Sequence, residues 1–276
     1  MRNAFANARY RISKALRYLP LIVWVAFFAV AFGWILLASF STNREIFSNG
    51  LLHSGFHFEN YLNVWQYNNV GRYFINSLLC TGIPCTLIIL ISAPAAYVLA
   101  KKTFFGKKAT FNAFVVGMSV PQVMVVIPLY CWFVRAELVG HLATLLILYT
   151  GMNVPYTVFF LTSFFTTVPS SLAEAAMIDG CTETKALWKV MIPLASPGII
   201  TVTIFNFMVI WNEYFMALIF ANGNDEIRTL SMGLQNIITA MTYTGDWAGL
   251  FAAVIMVLLP TLVLYLLLSE KIVSYF

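Results

Sequence analysis

Charge is scarce in this sequence. Asp, Glu, Lys and Arg make up 10% of its 276 residues, and only 11 are acidic. A water-soluble domain carries about 25%, so an ordinary globular protein is excluded. There are three histidines and four cysteines. Cys80, Cys85, Cys131 and Cys181 lack metal-ligand spacing, which argues against a zinc site or a disulfide framework. His53 and His57 lie four apart with no H-E-x-x-H pattern, so they are expected to be solvated loop residues. No G-x-x-x-x-G-K-[S/T] phosphate loop occurs, so ATP is not bound by that device. Strands of alternating polarity, the mark of a porin, are missing too. With no low-complexity segment and no internal repeat, residues 1–276 are expected to form one domain.

What is abundant is apolar. Hydrophobic residues reach 61% and mean hydropathy is +0.82, more than one core can absorb. Lipid is the natural solvent. Six stretches reach the roughly 20 residues a membrane helix needs: Leu19–Phe40, Phe74–Leu99, Phe111–Phe133, Leu142–Phe165, Gly198–Phe220 and Leu250–Leu268. Backbone amides in hydrocarbon need internal partners, so each is expected to be helical. The fold class is therefore an all-α integral membrane protein with six transmembrane helices. The first run exceeds a signal-peptide core and no small-residue cleavage pattern follows, so it reads as an uncleaved anchor.

Basic residues orient the bundle. Of the 16 Lys and Arg, twelve fall in the N-terminal segment up to Arg17, around Lys101 to Lys108, at Lys185 and Lys189, and at Lys271. Arg44, Arg72, Arg135 and Arg228 fall on the other side. The positive-inside rule then places both termini in the cytosol. The net charge of +5 is spent on this asymmetry, and no nucleic-acid partner is expected.

A polar stretch, residues 170–193, lies on the cytosolic side before the fifth run. Ser171 and Glu174 have capping-box spacing, and Glu174 sits at the positive end of the helix dipole. Ala173, Ala175 and Ala176 are strong helix formers. Asp179 and Gly180 stop the helix. Thr182 starts a second one, with Ala186, Leu187, Val190 and Met191 on one stripe, and Pro193 is expected to end it. The result is a helix–glycine–helix elbow. Its thin first helix suits docking against a partner; an amphipathic linker between spans is the plainer alternative.

Glu174-Ala175-Ala176, then three residues and Gly180, then nine residues and Val190-Met191-Ile192-Pro193, resemble the EAA loop of ABC-importer permeases, with Val190 and Ile192 in place of the usual Ile and Leu. Phe74-Ile75-Asn76-Ser77-Leu78, Pro121, Trp211-Asn212-Glu213, Arg228-Thr229-Leu230 and Asp246-Trp247 are similar to the carbohydrate, maltose-type branch. Such permeases commonly carry a longer tail than the few residues here between Lys271 and Phe276. The resemblance implies a permease subunit, not an enzyme, in a bacterial or archaeal cell (inner) membrane. Its partners would be ABC ATPase subunits gripping Glu174, Ala175, Ala176, Asp179, Gly180 and Pro193, a second and distinct permease, an extracytoplasmic solute-binding protein and a sugar. ATP and Mg would belong to the ATPases, leaving this chain without a cofactor. It also implies that the last external loop, about Ala221 to Ala248 with a helix near Leu230–Thr242, faces the binding protein.

Within the runs, Glu213 is the lone charge, which is costly in lipid and marks a functional or paired group. Asn206 and Asn212 share its stretch, and Asn206 and Glu213 lie seven apart on one helical face. That face is expected to line the solute route, the alternative being hydrogen bonds between helices. Pro121 and Pro155, the latter preceded by Gly151 and Asn153, fall near mid-membrane, where broken helices mark transporter gates. A self-sufficient secondary carrier would use Glu213 as an ion site but leaves the elbow idle. A membrane transferase would need a cluster of acid, base or metal-binding groups, and none is present in the sequence.

Overall fold

Proline and short polar breaks, more than hydropathy, decide how the apolar runs are divided. The computed structural model describes residues 2–48, 50–67, 69–221 and 223–273, with side chains at 2–16, 67, 242 and 268–273 not described. Phe276 lies outside the described residues, as do the side chains of Arg2, Arg9, Arg11, Lys14 and Lys271. Among the described residues every regular element is helical. The chain forms two compact units, Met1–Tyr67 with Ile237–Met256, and Asn68–Asn236 with Val257–Phe276.

The first unit holds α1 (Arg2–Ser39), α2 (Asn43–Ile46) and α3 (Glu59–Tyr67). Beyond α1, Thr42 and Glu45 form a capping box around α2. The Glu45 carboxylate also accepts from the backbone N–H (2.5 Å) and hydroxyl (2.7 Å) of Ser54. The Thr42 amide first and the Ser54 donors next hold this carboxyl down at about 2. His57 is half-buried. It bonds Ser54 Oγ at 2.8 Å and pairs with Glu59, so it is an engaged group where a solvated loop residue was expected. Asn43 bridges to the other segment of this unit: its Nδ2 donates to Asp246 (3.2 Å) and its Oδ1 accepts from the Ala248 amide (2.8 Å). Phe47 meets Trp247 edge to face.

The second unit holds α4 (Val70–Lys101), α5 (Lys107–Ser119), α6 (Gln122–Arg135), α7 (Leu142–Thr167), α8 (Ser171–Ile178), α9 (Glu183–Ala186), α10 (Ile192–Leu194), α11 (Ser196–Trp211) and α12 (Phe215–Ala221). The last two helices, α13 (Leu230–Thr244) and α14 (Trp247–Val273), run through both units. The core of the second unit is α4, α7 and α11. Cys80, Ile88, Leu145, Leu148 and Ile210 pack in one cluster. Ala93, Ala96, Tyr97, Leu161, Phe165 and Val202 pack in another.

Among the described residues four helical stretches are long and apolar enough to cross a membrane: Arg17–Ser39, Val70–Lys101, Leu142–Thr167 and Trp247–Leu267. Counting each of two bent pairs as one span would bring the number to six. The run expected as one helix over Phe111–Phe133 is instead α5 and α6, bent by 96°. Val120 and Pro121 are both extended, since proline's ring disfavours a helical residue before it. The run expected over Gly198–Phe220 is likewise divided. Its helix starts at Ser196 and stops at Trp211, and a separate α12 follows Glu213.

Because the Glu45 carboxyl titrates near 2 in the folded loop against an ordinary 4.5, its stabilising effect is complete above about 4.5 and drains away as pH falls towards 2. Hydrogen exchange should therefore show the Thr42 and Ser54 amides equally protected at pH 7 and pH 5. Glu45→Ala should expose both at either pH.

Candidate coupling and translocation site

The elbow begins at α8. Ser171 is already inside this helix, and Ser170 is its N-cap with no side-chain hydrogen bond, so the expected Ser171–Glu174 capping box does not form. The Ser170 carbonyl does the work, accepting from Ala173 (3.0 Å) and Glu174 (3.2 Å). At the other end Asp179 is the C-cap. Gly180 takes φ +86°, the left-handed conformation that glycine adopts without a Cβ penalty. Its N–H reaches the Met177 carbonyl (3.1 Å) while that of Cys181 reaches Ala176 (3.0 Å). This is a complete Schellman closure. Thr182 then caps α9 by accepting from the Lys185 amide.

The second arm of the elbow is irregular. Leu187–Met191 is a π turn between α9 and α10, in which the Ile192 amide bonds Leu187. Pro193 has no amide for the Lys189 carbonyl, which explains the widened turn. Pro193 does not end the helix, as the sequence suggested. The backbone continues to Leu194 and bends by 74° into α11.

Burial sorts the alanines. Ala173 and Ala176 are buried, with Leu187 and Met191, while Glu174, Ala175, Asp179 and Gly180 are exposed. The small side chains at 173 and 176 therefore let α8 lie against its own bundle. The outward face carries Glu174, Ala175 and Ile178, the last 86% exposed. Among the described residues Glu174 has no ion-pair partner. Glu183 pairs with Lys102, which raises that ammonium above its ordinary value.

Deeper in the bundle, a chain of hydrogen bonds runs along α7. Asn206 Nδ2 donates to Thr157 Oγ1 (2.9 Å), Thr157 to the Asn153 carbonyl (2.8 Å), and Asn153 Nδ2 to the Tyr149 carbonyl (2.8 Å). Tyr149 OH donates to Glu213 (2.8 Å). The Glu213 carboxylate in turn accepts from the amides of Met216 (2.7 Å) and Ala217 (3.0 Å). Glu213 thus lies in the break between α11 and α12, not inside a span, and it caps α12. The Asn206 amide bridges α11 to α7, while that of Asn153 is used within α7. Asn212 is exposed and donates to the Met208 carbonyl (2.8 Å). Trp211, 1% exposed, anchors α11 by donating to the Val257 carbonyl (3.1 Å). Sequence reasoning missed Tyr149 and Thr157. Each lies four residues from Asn153 along one helix, and that spacing was the available signal.

At the 96° bend, Pro121, Gln122 and Ser119 are exposed, and no side chain caps α6. A groove of about 400 Å³ opens there, lined by Gly117, Val120, Gln122, Gly151, Asn153 and Pro155 among others. It brings Gln122, next to Pro121 in the chain, together with Asn153 and Pro155, while Pro121, Asn206 and Glu213 are not in its lining.

Comparison with known proteins decides the family. Residues 88–269 match the binding-protein-dependent transport system inner membrane component. The chain belongs to this family. It is 32% identical to the diacetylchitobiose uptake system permease protein NgcG of Streptomyces coelicolor, over 94% of this chain and 85% of the relative. It is 29% identical to the melibiose/raffinose/stachyose import permease protein MelC of Bacillus subtilis, over 97% and 96%. A solved bacterial ABC transporter involved in import of the acidic polysaccharide alginate shares the fold, with a TM-score of 0.81 at 20% identity over 94% and 96% of the two chains. This inner membrane component is thus a multi-pass transport permease of an ABC importer and not an enzyme. The family works with ATPase and solute-binding partners.

Tyr149→Phe should leave Glu213 one donor short and cost about 1 kcal/mol, while Glu213→Ala should cost about 1–2 kcal/mol through loss of the α12 cap. In a double-mutant cycle read by denaturant unfolding in detergent, the two effects should be non-additive by at least about 0.5 kcal/mol.

Proposed function

We propose that this permease imports a sugar or oligosaccharide, crossing the cell membrane of a bacterium or archaeon six times with both termini in the cytosol, as one domain spanning residues 1–276. The relatives' names support the solute class, and the excess of Lys and Arg on one side supports the orientation. A second, distinct permease completes the pathway, and an extracytoplasmic binding protein delivers the solute. ATP and Mg are held by the ATPase subunits, and the chain itself uses no cofactor.

The observation that carries the route is the uncapped bend at Val120–Pro121. Irregular backbone at membrane depth is tolerated only against protein or water, never against lipid. Pro121, Gln122 and the neighbouring groove at Asn153 are therefore the natural lining of a hydrated pathway. Asn212 and Glu213 sit at the second such break. Asn206, held by Thr157, supports this lining from behind.

On the cytosolic side, the outward face of α8 docks to the ATPase. Glu174 makes a charge-assisted contact with a basic residue there, and Ala175 and Ile178 fill its groove. Ala176, Asp179, Gly180 and Pro193 set the elbow's shape. Closure of the ATPases then pulls the elbow and drives alternating access.

Glu174→Lys should weaken copurification of the ATPase by about 2 kcal/mol or more, some thirtyfold. Gly180→Pro should abolish it, because proline cannot adopt a positive φ. Retention of the ATPase in both variants would sink the docking assignment. Glu213→Ala should lower solute uptake in proteoliposomes with the ATPase still bound.

A further inference from the structure

Helix α4 runs unbroken for 32 residues, despite Pro84 and Pro94, and so reaches about 48 Å. Polar groups grip both of its ends. At the outer end Asn76 Nδ2 donates to the carbonyls of Glu226 (2.8 Å) and Arg228 (2.9 Å), and Ser77 Oγ accepts from the Leu230 amide (2.7 Å). Asn76 is 8% and Ser77 2% exposed. A Cβ on Gly233 would stand 2.3 Å from the Tyr73 ring, so the first turn of α13 lies directly on α4. At the inner end Lys101 Nζ donates to the Val168 carbonyl between α7 and α8, and Lys102 pairs with Glu183 at the start of α9. Between these grips, α4 contributes Cys80, Cys85 and Ile88 to one core cluster and Ala93, Ala96 and Tyr97 to the other.

A loop tied only by its own chain opens at little cost, whereas one bonded to a packed helix moves with it. We propose that α4 is a transmission rod: Asn76 and Ser77 at its outer end, and Lys102 with Glu183 at its inner end, are positioning residues that make the elbow and the outer segment 225–236 move as one body. The mechanical role rests on the reading of the elbow as the ATPase dock. Motion received there reaches the far side of the bilayer without passing through the bent pairs α5–α6 and α10–α11.

The test places spin labels at Lys185→Cys and Asn236→Cys in the full chain, with Cys131→Ser and Cys181→Ser, in lipid nanodiscs. Pulsed dipolar spectroscopy should give one narrow distance peak. In the assembled transporter that peak should stay in place when Mg-ATP and vanadate replace a nucleotide-free buffer. Asn76→Ala with Ser77→Ala should at least double the peak width. Lys102→Glu should broaden it too, and Lys102→Glu with Glu183→Lys should narrow it again, a recovery that a misfolded chain would not show. A parent peak that shifts with nucleotide, or a double-alanine variant as narrow as the parent, would overturn the rod. Should no ATPase assemble with the chain, the docking assignment fails, while the widths measured on the isolated chain still judge the rod.

Discussion

A peptide group taken out of water and left without a partner costs several kcal/mol, and the interruptions in these helices are governed by that penalty. At the break after Trp211, the Trp211 carbonyl accepts from Ser231 Oγ (2.9 Å). The amides that open α12 are taken by Glu213. Where the chain turns into α7, the Gly140 amide bonds the Phe220 carbonyl (2.9 Å), and the Gly140 carbonyl accepts from Asn224 Nδ2 (2.9 Å). The Val120–Pro121 bend lacks such a side-chain cap.

The same penalty explains why a carboxylate is tolerable so close to lipid. Glu213 is satisfied by a phenol and two helix-opening amides, and the positive end of a helix favours an anion. Its role is inseparable from Tyr149, so the polar chain along α7 is one unit. A charge expected to line the solute route is also half of a structural joint.

Much of the elbow was legible in the sequence because its chemistry is local. Gly180 closes α8 by its own backbone freedom, and Thr182 caps α9 with its own hydroxyl. Ser171 misled because the neighbouring serine's carbonyl already served the first amides, which no residue pattern reveals. Span lengths were legible too: Leu142–Phe165 was expected and Leu142–Thr167 observed. Direction was not. A hydropathy window counts apolar residues and is blind to their heading, so the 96° bend in Phe111–Phe133 showed only as a proline. The inward turn of Ala173 and Ala176 also had to await the fold, since alanine suits either face of a helix. Asn76 and Arg228-Thr229-Leu230 were recognised separately, by likeness to one branch. Only the folded chain brings them together.

The π turn at Leu187–Met191 has a consequence for how this segment tolerates change. Such a turn houses one residue more than an α-helical turn of the same rise. Removing a single residue there would restore regular winding. The widened turn absorbs that residue without changing the phase of the helix on either side, so Glu183 would still face Lys102. Adding a further residue meets no such slack and would turn the preceding arm by about 100° about its axis, carrying Glu183 off Lys102 and the α8 face off its bearing. Length at this spot is thus guarded more strictly against gain than against loss.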